Sequence, residues 1–170
     1  MTHLQRVSRI AVPLALILAA SLALAQTVDL LNKKEPLPGI TSGGQPTAEQ
    51  LAAAAKAGVK VVIDLRTSKE DRGMDEKAVV EKLGMKYVNL PVEGAAGVTY
   101  ANASALDKLL GKNDEPVLLH CASGNRVGAL LALRAKLDGS DNDAALALGV
   151  AGGVTGLKHT VEEKLAQGHD

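Results

Sequence analysis

The stretch Pro116-Val117-Leu118-Leu119-His120-Cys121-Ala122-Ser123-Gly124-Asn125-Arg126 constrains the fold of this chain more than any other. It begins as a short apolar run and ends as a small polar loop. The run that follows, Val127-Gly128-Ala129-Leu130-Leu131-Ala132-Leu133-Arg134, reads as a helix. Strand, tight loop and helix in that order make an anion cradle. Loop amides and the first N–H groups of the helix converge on one spot, and the helix dipole favours negative charge there. Cys121 is the only cysteine of the chain, with His120 directly before it and Arg126 five positions after it. A thiol at the mouth of such a cradle suits a thiolate nucleophile. Arg126 can offer a planar fork to an oxyanion. For a lone cysteine, a buried core thiol is the competing reading; the combination of His, Cys, Gly and Arg at a strand-to-helix turn favours a reactive site.

The rest of the chain alternates apolar runs with helical segments. A short strand from Ile40 leads into the loop Ser42-Gly43-Gly44-Gln45-Pro46, and Thr47 with Gln50 fits a capping box for a helix over 48–57. Residues 59–65 read as a buried strand, and 85–90 and 117–120 as two further strands. Helices are expected over 74–83, from Thr99 to near Gly111, and over 127–137, 143–150 and 155–166. Pro36-Leu37-Pro38-Gly39 reads as a turn or extended linker, and 92–98 as a flexible loop with two glycines. This alternation predicts an α/β fold: a single domain with a mostly parallel central sheet flanked by helices. Such sheets place their sites at the carboxyl ends of strands, where Cys121 falls.

Composition narrows the function. The net charge is zero and the basic residues are scattered, which argues against nucleic-acid binding. With two tyrosines and no Phe or Trp, the core must come from Leu, Val, Ala and Ile, and there are no base-stacking platforms. His159 and His169 belong to no cluster with metal-ligand spacing, so neither a metal nor a cofactor is expected. The stretch Asp71-Arg72-Gly73-Met74-Asp75-Glu76-Lys77 reads as a solvated loop and helix start.

Arg6 and Arg9, an apolar run to Leu24 and a closing Ala23-Leu24-Ala25 predict a secretory signal peptide over 1–25, with an uncleaved anchor as the alternative. The domain then spans 26–170, in the periplasm or outside the cell and free of the membrane once cleaved. In that oxidising setting an exposed single thiol needs protection or a thiol reductant as partner.

Several segments together resemble the cysteine-dependent phosphatase superfamily in its compact dual-specificity-like form, above all the bacterial beta-lactamase hydrolase-like group of phosphatase-like domains. These are Ser42-Gly43-Gly44-Gln45-Pro46, Gly58-Val59-Lys60-Val61-Val62-Ile63-Asp64-Leu65-Arg66 with Glu70 after it, Tyr87-Val88-Asn89-Leu90-Pro91-Val92, and the Cys121 loop. The resemblance covers most of 26–170 and implies a phosphatase-like domain acting on a phosphorylated small molecule or protein. It implies Cys121 as nucleophile, Arg126 as oxyanion clamp and Ala122, Ser123, Gly124 and Asn125 as the lining of the cradle. His120 would support the thiolate from behind. Glu93 is the best-placed general acid by chain order, and Asp64 with Arg66 would orient the active loop through an ion pair.

The loop also departs from that superfamily. Four residues separate Cys121 from Arg126, where the usual phosphatase signature has five, and Val127 stands where Ser or Thr is common. The shorter loop resembles that of rhodanese-type sulfurtransferases, which carry sulfur from a sulfur donor as a cysteine persulfide. Sulfur transfer at Cys121, and a catalytically silent oxyanion-binding module, are the alternatives.

Overall fold

The structure, a computed structural model, describes residues 29–111 and 115–168; the expected signal peptide lies outside them. In chain order the elements are β1 (Lys34–Leu37), β2 (Ile40–Gly43), α1 (Ala48–Lys56), β3 (Val61–Asp64), α2 (Glu76–Lys82), β4 (Lys86–Asn89), α3 (Tyr100–Leu110), β5 (Val117–His120), α4 (Asn125–Leu137), α5 (Asn142–Ala151) and α6 (Lys158–Gln167). The strands form one sheet in the order β1-β2-β5-β3-β4. All neighbours pair in parallel except β1, which runs antiparallel to β2. This is the predicted α/β architecture with a mostly parallel sheet.

The register positions the site. Gly43 of β2 and Asp64 of β3 both align with His120 of β5. Three strands therefore end level, and the loops after Gly43, Asp64 and His120 lie side by side. The β5 strand sits at the centre of the sheet and is buried throughout, so its Val117-Leu118-Leu119 run meets apolar surroundings on both faces.

The helices obey local chemistry. Thr47 and Gln50 close the expected capping box on α1, and Asp75, Thr99 and Asp141 each accept a hydrogen bond from a first-turn amide of α2, α3 and α5. Two expectations need correction. The stretch read as a linker before Gly39 holds strand β1 up to Leu37, with the turn confined to Pro38-Gly39. An edge strand tolerates Pro36, which has no N–H to give to a neighbour. The last helix starts at Lys158 rather than near Thr155. Residues 152–157 instead fold back against the active loop.

Apolar side chains fill both faces of the sheet. On one face Ile63, Leu65, Leu119 and Cys121 pack against α3 and α4 through Leu106, Leu130 and Leu131. On the other, Val62 and Leu118 pack against α1 and α2 through Leu51, Ala54 and Val80. A third cluster joins α4 to α3, α5 and α6. Helix α4 is buried on nearly every side. At Gly128 an added Cβ would collide with the backbone of Val154 and Gly149, so a glycine is what lets α5 and its exit lie directly on α4. Among the described residues no helix is long and apolar enough to cross a membrane.

Candidate functional site

The loop after β5 is held open from behind. The Ala122 carbonyl accepts a hydrogen bond from the Gln45 amide at 3.2 Å, and the Ser123 carbonyl accepts one from Asn32 Nδ2 at 3.1 Å. Each trans peptide directs its N–H opposite to its C=O. With these two carbonyls turned toward the Gly43-Gly44-Gln45 loop and the segment before β1, the amides of Ser123 and Gly124 turn inward. The Gly124 amide donates to Cys121 Sγ at 3.1 Å. Gly124 itself has φ +87°, the left-handed conformation that L side chains avoid, and forms the N-cap of α4. The Ser-Gly-Gly-Gln run after β2 is thus the outer support of the cradle. Gly44 is essential there, since a Cβ on it would lie 2.9 Å from the Ala122 carbonyl oxygen.

Cys121 is 1% exposed and sits beneath the loop rather than at an open mouth. It joins the Leu119 face of the sheet, as the two-residue period of a strand requires. Arg126, in the first turn of α4, carries the cradle to the surface. Its Nη1 and Nη2 donate to Glu70 Oε1 and Oε2 at 2.7 and 2.6 Å, and Nη1 also donates to the Val92 carbonyl at 2.9 Å. Hydrogen bonding to Arg126 holds the Glu70 carboxyl down at about 2, against the smaller opposing effect of burial. The guanidinium is in turn held further above its ordinary range, first by Glu70 and then by the neighbouring Cys121 sulfur. Beyond Arg126 opens a cleft of about 410 Å³, lined also by Thr67, Lys69, Glu70, Glu93, Gly94, Asn125 and Leu157. The structure therefore brings Arg126 and Glu93 to one cleft, while Cys121 is buried under its own loop and is not among the residues that line the cleft.

His120 faces the other way. As the neighbour of Cys121 on β5, its side chain points to the opposite face of the sheet. There its Nε2 lies in hydrogen-bond contact with Glu76 Oε1 at 2.7 Å. It does not back the thiolate, which corrects the role drawn from the resemblance. Around it lies a fully buried ionic cluster. Arg66 donates Nε to Asp64 Oδ1 at 2.9 Å and Nη2 to Asp64 Oδ2 at 3.1 Å, and Nη2 also pairs with Glu76 Oε2. Tyr87 and Arg72 donate to Asp64 Oδ2 at 2.8 and 3.1 Å. Burial alone would raise the Asp64 carboxyl, but the hydrogen bonds from Arg66, with the nearby charges, outweigh it and hold it at about 2. Burial and the Asp64 contact push the Tyr87 phenol up to about 12.

The expected Asp64–Arg66 pair exists, and it reaches the active loop through one main-chain link, Leu65 N–H to the His120 carbonyl at 2.9 Å. Ligand atoms of Asp64, Glu76 and His120 lie within 4.8 Å of one another, the one such cluster among the described residues. The Arg66 guanidinium already supplies positive charge between those carboxylates.

Asn125 also departs from expectation. Its backbone belongs to the loop, but its side chain is turned away to the 155–157 segment. Two acidic residues had no assigned role from sequence. Glu76 is buried, not part of a solvated helix start, because Asp75 rather than Glu76 caps α2 and Glu76 turns inward onto Arg66. Glu70 lies far from Arg126 in the chain, and nothing local to it signals the pairing.

Residues 18–151 match the family described as "DSP-PTPase phosphatase fused to NAD+ Kinase". The beta-lactamase hydrolase-like protein of Xylella fastidiosa (strain Temecula1) is 34% identical over 115 residues, covering 65% of this chain and 26% of that protein. The chain thus spans about a quarter of the length of the curated relatives it matches. Among solved structures, P. aeruginosa TpbA in complex with pTyr is similar at 24% identity and a TM-score of 0.64, over 86% of this chain and 90% of that one. The core catalytic domain of the PP-IP phosphatase SIW14 from S. cerevisiae is similar at 14% identity and a TM-score of 0.57, over 80% and 86%. At these identities the two structures speak for the fold, and the family match speaks for descent. With the match spanning most of its length, the chain belongs to the DSP-PTPase family, a cysteine-dependent phosphatase type.

Proposed function

We propose that the protein hydrolyses a phosphomonoester through a phosphocysteine on Cys121. The observation that carries this reading is the convergence of the Gly124 amide on Cys121 Sγ at 3.1 Å with Arg126 in the next turn. Family membership and the fold shared with TpbA, which is known in complex with pTyr, support it. In the proposed first step the thiolate attacks phosphorus in line, and an S–P bond forms as the P–O bond to the leaving group breaks. The loop amides and Arg126 hold the non-bridging oxygens. Glu93 gives its proton to the leaving oxygen. Water then attacks phosphorus, Glu93 takes a proton back, and the S–P bond breaks to release phosphate and thiolate.

The arrangement of Glu70 suits this role for Arg126. A bidentate carboxylate fixes the guanidinium plane before any substrate arrives, which reduces the ordering cost of binding an oxyanion. The sequence pattern of 1–25 supports export, and burial of Cys121 would shield the thiol in an oxidising compartment. The four-residue loop favours a second reading, persulfide transfer at the same sulfur.

The test uses the protein and its Cys121→Ser variant with an aryl phosphate, and separately with thiosulfate plus cyanide. Phosphate release that vanishes in the variant is expected. Thiocyanate without phosphate release would replace the reading with sulfur transfer. Silence in both, with oxyanion binding retained, would leave a binding module.

A further inference from the structure

We propose that Asn125 is a positioning residue that fastens the connection between α5 and α6 to the active loop, so that Leu157 forms an apolar, leaving-group-selecting wall of the cleft. The proposal rests on the phosphatase reading above. Three hydrogen bonds carry it. Asn125 Oδ1 accepts from the amides of Thr155 at 2.9 Å and Leu157 at 3.1 Å, and Nδ2 donates to Thr155 Oγ1 at 3.1 Å. An amide side chain is the group that can accept twice and donate at once from so short a stem. Both ends of the connection press on the loop as well. Gly153, at φ +106°, would place a Cβ 3.3 Å from the Gly124 carbonyl oxygen, and a Cβ on Gly156 would lie 3.3 Å from Asn125 Nδ2. Ser42, from the strand beside β5, donates to the Gly152 carbonyl at 3.3 Å.

The consequence is a cleft with unlike walls. Leu157 is half-buried and is the one large apolar side chain lining the cleft, beside the charged groups of Lys69, Glu70, Glu93 and Arg126. A flat or apolar leaving group gains contact with Leu157. An anionic one must place its charge beside the Glu70 carboxylate that pairs with Arg126. The geometry therefore points to monoesters with an apolar leaving group over those with a charged or strongly hydrated one. Asn125 sits directly before Arg126, so it couples the placement of this wall to the placement of the clamp.

The test compares kcat/KM for phenyl phosphate with that for glycerol phosphate and follows hydrogen exchange of the Thr155 and Leu157 amides in the same proteins. Leu157→Ala should lower the phenyl-to-glycerol ratio about 10-fold, the low end of the scale for one methylene in a pocket, since Leu157 is only half-buried. Asn125→Ala should lower it similarly and speed exchange at both amides. Asn125→Asp keeps the double acceptor, with Thr155 now donating, and should retain the ratio and the protection even if its charge weakens both esters alike. An unchanged ratio in Leu157→Ala overturns the specificity role. A ratio lost in Asn125→Ala without faster exchange overturns the fastening. If the unsubstituted protein releases phosphate from neither ester, the phosphatase reading and the leaving-group preference fall together, and exchange alone then supports or overturns the fastening.

Discussion

His120 and Cys121 are consecutive residues, yet they look into two unlike environments. On the face toward α1 and α2, Arg66 is enclosed by Asp64 and Glu76 and all are shut off from water. On the face toward α3 and α4, Arg126 also meets a carboxylate bidentately, but Glu70 is 29% exposed and borders an open cleft. Both arginines are paired. One pair is locked inside the fold, and the other stands at its edge with the cradle amides beside it. Burial therefore separates a structural ion pair from one that a ligand can reach. A buried charge must keep its partners, because removing one leaves the other without compensation.

The sharpest way to break this contrast is to remove one buried partner. Glu76→Leu strands His120 Nε2 and one side of Arg66, and should cost about 3–5 kcal/mol, seen as a fall in Tm of about 10 °C or more. A Tm within a few degrees of the parent would show that the cluster is not a structural keystone.

The matching change on the open face is Arg126→Lys. On the proposed reaction it should reduce kcat/KM about 10²-fold or more, since a point charge cannot replace the planar fork. Its Tm should move far less than that of Glu76→Leu. A variant whose main defect is stability would erase the distinction between the two faces.

Reading the two faces from sequence succeeded unequally, for a physical reason. The cradle is local: Cys121, Gly124 and Arg126 lie within one strand–loop–helix turn, so their spacing alone brings them together. Asp64 and Arg66 are equally local, and their pairing was expected. Glu76 and Glu70 reach their arginines only through the fold, from α2 and from the loop before it, and each resembles an ordinary surface acid in its neighbourhood. His120 was misplaced because adjacency in a motif suggested cooperation, whereas the period of two along β5 sends neighbours to opposite faces. Strand β1 was missed because two prolines outweighed a short edge pairing.

Titration offers a smaller test of the same contrast. Asp64 is held at about 2 in the folded protein, against an ordinary carboxyl near 4. A depressed pKa contributes stability above the unfolded value, and this is lost as pH falls through the folded one. Between pH ~4 and ~2 Asp64 should therefore cost the fold about 2 kcal/mol, and Glu70 weakens in the same window. Tyr87 acts in the opposite sense: raised to about 12, it stabilises below its unfolded value near 10 and stops doing so as pH rises to about 12. Denaturant unfolding at several pH values would measure both limbs. In Asp64→Asn the acid limb should flatten; an unchanged limb would assign it to other groups.

The central claim is that Cys121 carries the phosphoryl group. The most direct measurement mixes the protein with excess 4-nitrophenyl phosphate, quenches within the first turnovers and maps the mass of the Cys121 peptide. The account predicts one added phosphoryl group on Cys121, formed with the first burst of nitrophenol and absent from Cys121→Ser. Phosphate release that proceeds without any phosphoryl on Cys121, or that survives in Cys121→Ser, would contradict it.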